Sequence, residues 1–157
     1  MKKKFTKKNI LIGLLALLLV MQLFRINKTT HPVNPEKDFV TITSASPEVT
    51  GVLKQACYDC HSNQPSYPWY TNVAPVSWWI AHHIDEGQHE LNFSEWGGYS
   101  EKRKNHKLEE CIEMVEEGDM PLPSYTWMHK EAKLTDAQKL QLVEFFRAVK
   151  GRMATNS

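Results

Sequence analysis

Five consecutive residues, Cys57-Tyr58-Asp59-Cys60-His61, carry the clearest chemical signal in the chain. Two thiols one helical turn apart can reach the two vinyl groups of one porphyrin. A histidine directly after the second thiol can turn back to place an imidazole nitrogen on the iron. C-x-x-C-H is the spacing of c-type haem attachment, so Cys57 and Cys60 are the expected covalent anchors of one haem c. His61 is the expected proximal ligand. Rival chemistries fit less well. A structural zinc site needs four ligands, and only Cys111 and scattered histidines remain to supply them. A thioredoxin-like dithiol would follow a β-strand, whereas Cys57 closes a helical pattern, and a disulfide across so short a loop would be strained and reducible.

The sixth ligand has several candidates. Met120, 59 residues beyond His61, sits between Gly118 and the prolines Pro121 and Pro123, and a thioether there raises the reduction potential. His82 and His83 are the alternatives. Neighbours on a helix point about 100° apart, so at most one of them can face the iron. His129, His89 and His106 are weaker candidates. Met114, Met128 and Met153 read as core filler, and Cys111, on an apolar stripe, reads as an inert buried thiol. A His/Met iron leaves no open position, so electron exchange rather than enzymatic turnover is expected. The alternative is a peroxidase-like enzyme or a gas or redox sensor with a vacant sixth position.

The elements that must position these groups read as helices. Ser46-Pro47-Glu48 has the side-chain oxygen, proline and acid of a helix start, and Val49, Val52, Leu53 and Ala56 share a face. Residues 63–75, with three prolines, read as loop, and Val76–Glu86 as a second helix stopped by Gly87. Ser100 opens a third helix, with Leu108, Cys111, Ile112 and Val115 on one stripe and Gly118 closing it. Asp119–Lys133 reads as loop in part. Thr135 and Gln138 form a capping box for a last helix, whose Leu142, Phe145, Phe146 and Val149 make an apolar face ahead of Gly151. No alternating strand pattern stands out. The expected fold is all-α, a small cytochrome c-like domain closed around its haem, because so little helix encloses only a thin core.

The 157 residues suffice for one domain and an appendage. The formal charge of +1 hides an asymmetry: residues 1–29 hold seven basic and no acidic groups, which leaves 12 basic and 18 acidic ones, a net −6, in the remainder. A domain of that sign is repelled by phosphate backbones, which excludes nucleic acid, and it favours redox-partner proteins with a basic docking patch. The lysine-rich head and the apolar run Ile10–Phe24 predict an uncleaved signal anchor over residues 1–29. No small-x-small cleavage site follows the run, and its first cysteine is far away at Cys57. That reading places a single-pass helix in the cytoplasmic membrane with the domain on the periplasmic side, although about 22 Å of helix falls short of a hydrocarbon core of about 30 Å. Residues 30–46 read as a tether, 47–151 as the haem-binding domain and 152–157 as a tail.

Three stretches, ACYDCHSNQPSYPWY, APVSWWIAHHIDEGQHELNFSEW and GDMPLPSYTWMH, resemble a family of bacterial haem-binding domains, over about Leu53 to Val149. The block from Trp78-Trp79 to Trp96 is more particular to that family than to cytochromes c at large. The resemblance implies covalent haem on Cys57 and Cys60 with His61 on the iron, and Met120 as the distal partner.

Overall fold

The computed structural model describes residues 6–155, and every regular element among them is helical. The first part of the basic head, including Lys2, Lys3 and Lys4, lies outside the described residues. Seven α-helices follow one another: α1 (Lys7–Met21), α2 (Phe39–Ile42), α3 (Pro47–Ala56), α4 (Val76–Glu90), α5 (Glu101–Glu117), α6 (Pro123–Met128) and α7 (Asp136–Thr155), with short 3-10 turns between them.

The long helices start where local chemistry supplies the missing hydrogen-bond partners. Ser46 and Ser100 accept from Val49 N and Arg103 N, each at 3.3 Å, and so cap α3 and α5. Thr135 and Gln138 bond reciprocally, N of Thr135 to Oε1 of Gln138 at 2.9 Å and N of Gln138 to Oγ1 of Thr135 at 3.2 Å, which makes the capping box of α7. α5 ends at Gly118, whose φ of 82° is a left-handed conformation that a side chain would oppose. Two other glycines act differently from expectation. α4 runs through Gly87 to Glu90, and α7 runs through Gly151 to Thr155, so the described part of the expected tail is helix.

α5 and α7 pack along their length, with Leu108 and Val115 of the one and Leu142, Val143, Phe146 and Val149 of the other buried. Cys111 and Ile112 on the same stripe of α5 are half-buried against this core. Exposed ion pairs Glu116–Arg147 (2.6 Å) and Glu109–Lys150 (2.5 Å) line the seam.

Two expectations need correction. Residues 30–46 are not a tether. They form the 3-10 turn Pro35–Lys37 and α2, and they deliver Phe39 to the centre of the core at 0% exposure. Its ring meets Trp96 edge-on at 4.8 Å and Phe93 at 5.0 Å. Buried Asp38 caps α2 through Val40 N and also accepts from Tyr58 Oη at 2.9 Å. The membrane anchor also fails. α1 has 15 residues, and no helix among the described residues is long and apolar enough to cross a membrane. The single-pass topology, and the periplasmic placement that depended on it, lose their support. α1 is capped at Gln22, whose amide belongs to the domain: its Nε2 donates to Ala74 O and its Oε1 accepts from Ala74 N, both at 3.0 Å. Trp78 Nε1 donates to Phe24 O at 2.8 Å just beyond.

A packed residue 39 gives a direct expectation. Phe39→Ala should lower the free energy of unfolding by about 3–5 kcal/mol in urea titration, while Leu140→Ala on the exposed side of α7 should change it by less than about 0.5 kcal/mol; a tether would make the two variants alike.

Candidate functional site

α3 hands the chain directly to the C-x-x-C-H segment. Cys57 N still bonds Leu53 O at 2.8 Å, but the Cys57 backbone leaves the helical region and the next residues curl into a tight turn, with Cys60 N and His61 N both donating to Cys57 O (3.2 and 2.9 Å). Each residue between and after the thiols is tied down. Tyr58 stacks on Phe93 at 5.2 Å and bonds Asp38; burial pushes its phenol well up, so it stays a neutral donor. Asp59 accepts from Tyr125 Oη at 2.5 Å. Ser62 Oγ donates to Tyr58 O at 2.7 Å, and Gln88 Nε2 to Ser62 O at 2.6 Å. Buried Asn63 bonds Pro32 O, Glu95 and Asn92, so the strap before α2 helps hold the segment.

His61 is held by the end of α4. Its Nδ1 lies 2.9 Å from both Gly87 O and Leu91 O. Carbonyls only accept, so Nδ1 carries the proton and Nε2 keeps its lone pair. Burial, aided by the nearby Lys107 ammonium, lowers the His61 pKa below its ordinary 6.5 and outweighs the two carbonyl bonds, leaving the imidazole neutral at pH 7. Gly87 is favoured here by proximity: a Cβ on it would stand 3.2 Å from Cys60 O and 3.4 Å from Cys60 Cβ, tight enough that the thiol turn would have to give way. The glycine that reads as a helix stop is the place where α4 touches the thiol turn.

Two adjoining cavities, about 380 and 310 Å³, share Ala56, Cys57, His61, Glu90, Met120 and Pro121 as walls and form one cleft. Each is within the size range of small-molecule sites, about 300–1,000 Å³. Cys60, His83, Gly87 and Tyr125 close one end; Cys111, Met114, Phe93 and Phe146 close the other. Of the candidate residues, Cys57, Cys60, His61, Met120 and His83 thus face one space. His82 does not line it; it is exposed, with its Nε2 3.7 Å from Glu86. His129 bonds Tyr70 Oη at 2.6 Å and stacks on Tyr125, while His89 and His106 pair with Glu90 and Glu110 on the surface. Of the tryptophans, Trp96 is core and Trp69 and Trp127 are largely exposed.

The thiols are neutral. Burial pushes Cys57 up to about 12, with the neighbouring Cys60 adding to it, and burial and Asp59 push Cys60 up to about 11. Cys111 is driven up as well, chiefly by burial. Among the described residues no group of three or more His, Cys, Asp or Glu is placed to hold a bare metal ion.

Several lining residues give no signal in the sequence. Met114, which reads as filler, is a second thioether in the cleft, and Met120 N bonds its carbonyl at 3.1 Å. Lys107 is 8% exposed, with Nζ 2.9 Å from Glu90 and 2.7 Å from Glu110. Burial alone would lower its pKa, but the two carboxylates outweigh it and hold the ammonium charged.

An apolar cleft in an all-helical domain that presents an oriented imidazole nitrogen and a thioether suits a haem, whose iron accepts such donors and whose ring needs apolar walls. The model of the haem-binding domain family matches residues 16–148, and the chain belongs to that family. No curated protein and no solved structure matches it.

Two outcomes follow from the clamp. Gly87→Val should drive its side chain into Cys60 and lower stability by about 1–3 kcal/mol in thermal or urea unfolding. In the haem-free protein, the depressed His61 pKa makes the unfolded chain take up a proton that the folded one refuses. Stability should therefore fall as pH drops below 6.5, by at most about 1.4 kcal/mol per pH unit, until His61 protonates in the folded state. His61→Gln should flatten that slope.

Proposed function

We propose that this haem-binding protein is a monohaem c-type cytochrome. Cys57 and Cys60 would anchor the haem covalently, His61 Nε2 and the Met120 sulfur would take the axial positions, and the protein would transfer electrons rather than turn over a substrate. The observation that carries this reading is the pinning of His61 Nδ1 by Gly87 and Leu91. It aims an unprotonated nitrogen from a cleft wall that also presents both thiols and Met120. A metal-ligating histidine characteristically donates its other ring N–H to a carbonyl or carboxylate, which fixes its orientation and raises its basicity.

Bound haem supplies a one-electron couple. The chain's own residues would set its surroundings: His61 and Met120 would hold the iron, Phe93 and Phe146 keep the wall apolar, and before attachment the raised thiol pKa values hold Cys57 and Cys60 as neutral thiols, which disfavours their joining to each other. Redox proteins are the corresponding partners. A second reading rests on His83, which lines the same cleft and would make the iron bis-imidazole.

Two measurements decide these points. A denaturing gel stained for haem should keep its band after boiling, and Cys57→Ser with Cys60→Ser should lose it. The ferric protein should show a sulfur-to-iron charge-transfer band that Met120→Ala abolishes and His83→Ala retains. A low-spin ferric spectrum that lacks this band, and that His83→Ala but not Met120→Ala converts to high spin, assigns the sixth position to His83, and a high-spin ferric iron that binds carbon monoxide rapidly once reduced shows the position to be open.

A further inference from the structure

A second hollow lies behind the Met120 wall of the cleft. It is an open groove floored by Met120 and Pro121, with Trp127 of α6 on one side and Lys130, Lys133 and Lys139 around it. No carboxylate lines it. Glu131, the acid between two of these lysines in sequence, is engaged with His129 at 3.1 Å. The three lysines make no ion pair among the described residues, whereas Lys104, Lys107 and Lys150 are all paired. Trp127 is 79% exposed, more than any other tryptophan. In a region, residues 30–157, of net charge −6, this groove is thus lined by three lysines and no acid, and it shares Met120 and Pro121 with the cleft.

We infer that this groove is the docking surface for an acidic patch on a redox-partner protein, and that electrons enter or leave on the Met120 side. Three unpaired ammonium groups attract such a patch without breaking an existing pair, and an exposed tryptophan amid them offers the flat apolar anchor that interface centres favour. The domain's overall charge points instead to a basic partner; the local field at the electron-exchange face decides the encounter, because screening confines each charge's influence to about 8–10 Å at ordinary salt. The inference rests on the electron-transfer reading above. Each encounter moves one electron between the partner's redox centre and the haem iron, with no bond made or broken.

The test uses the holoprotein and two small redox probes of opposite charge, hexacyanoferrate and hexaammineruthenium. Hexacyanoferrate should exchange electrons faster as salt is lowered, and a variant with Lys130, Lys133 and Lys139 all changed to Gln should slow it about threefold to tenfold without slowing hexaammineruthenium. Replacing Lys37, Lys54 and Lys102 instead, three exposed lysines outside the groove, removes the same charge and should leave the rate within about twofold. Equal effects of the two triple variants, or none from either, overturn the docking surface while leaving the cytochrome reading in place. If neither probe oxidises or reduces the iron, the electron-transfer reading falls and the docking surface with it.

Discussion

The arrangement depends on one contact, the pair of 2.9 Å bonds from His61 Nδ1 to the carbonyls of Gly87 and Leu91 at the end of α4. A histidine on a mobile loop would lose orientational freedom on meeting an iron. Here that cost is met in folding, since the ring's tautomer and direction are set before any ligand arrives. The contact also explains why α4 and the thiol turn approach so closely. Leu91 lies just past the end of α4, where carbonyls have no following turn to bond, and Gly87 O, which already accepts from Leu91 N at 3.0 Å, takes the imidazole N–H as a second donor; both bonds need close range. Gly87 permits that range.

The clamp is supported from behind by residues far away in sequence. Tyr58 in the motif reaches Asp38, Asn63 reaches the backbone of Pro32, and Phe93 N donates to His61 O at 2.8 Å. Phe39 packs beneath this layer against Phe93 and Trp96. The segment before α3 is therefore a structural strap over the thiol turn, in keeping with a family match that begins at residue 16. Buried polar groups are satisfied throughout: no buried side-chain nitrogen or oxygen among the described residues lacks a partner. Such closure favours a single geometry for the turn.

What could be read in the sequence was what local physics decides. Ser46, Ser100 and the Thr135–Gln138 pair announce helix starts because a cap acts within three residues, and Gly118 announces an end because only glycine enters the left-handed region cheaply. The motif itself is contiguous, so it stands out in the sequence at once, and the structure places its two thiols and His61 on one cleft. Long-range uses of the same residue types were not. Gly87 reads identically as a helix stop and as a point of close approach. α2 has four residues, too few to show a period, so Phe39 looked like linker. His83 and His82 differ only in which way the helix turns them. Lys107 and Glu90 owe their place in the cleft to side-chain bonds between α5 and the end of α4, which no local pattern encodes. The anchor expectation failed for a related reason: hydropathy registers Ile10–Phe24 as apolar but not that Gln22 is committed elsewhere.

That commitment bears on where the molecule can be cut. Gln22 bonds both the N–H and the C=O of Ala74 with a single side chain, much as a neighbouring strand would, and Ala74 is only 4% exposed. A shortened version beginning at Thr30 or Pro47, the natural places to trim by inspection, would remove the partners of the Ala74 N–H and C=O, in two successive peptide groups just ahead of α4. The smallest self-sufficient unit therefore begins no later than the end of α1, and material for crystallisation or spectroscopy should keep Gln22.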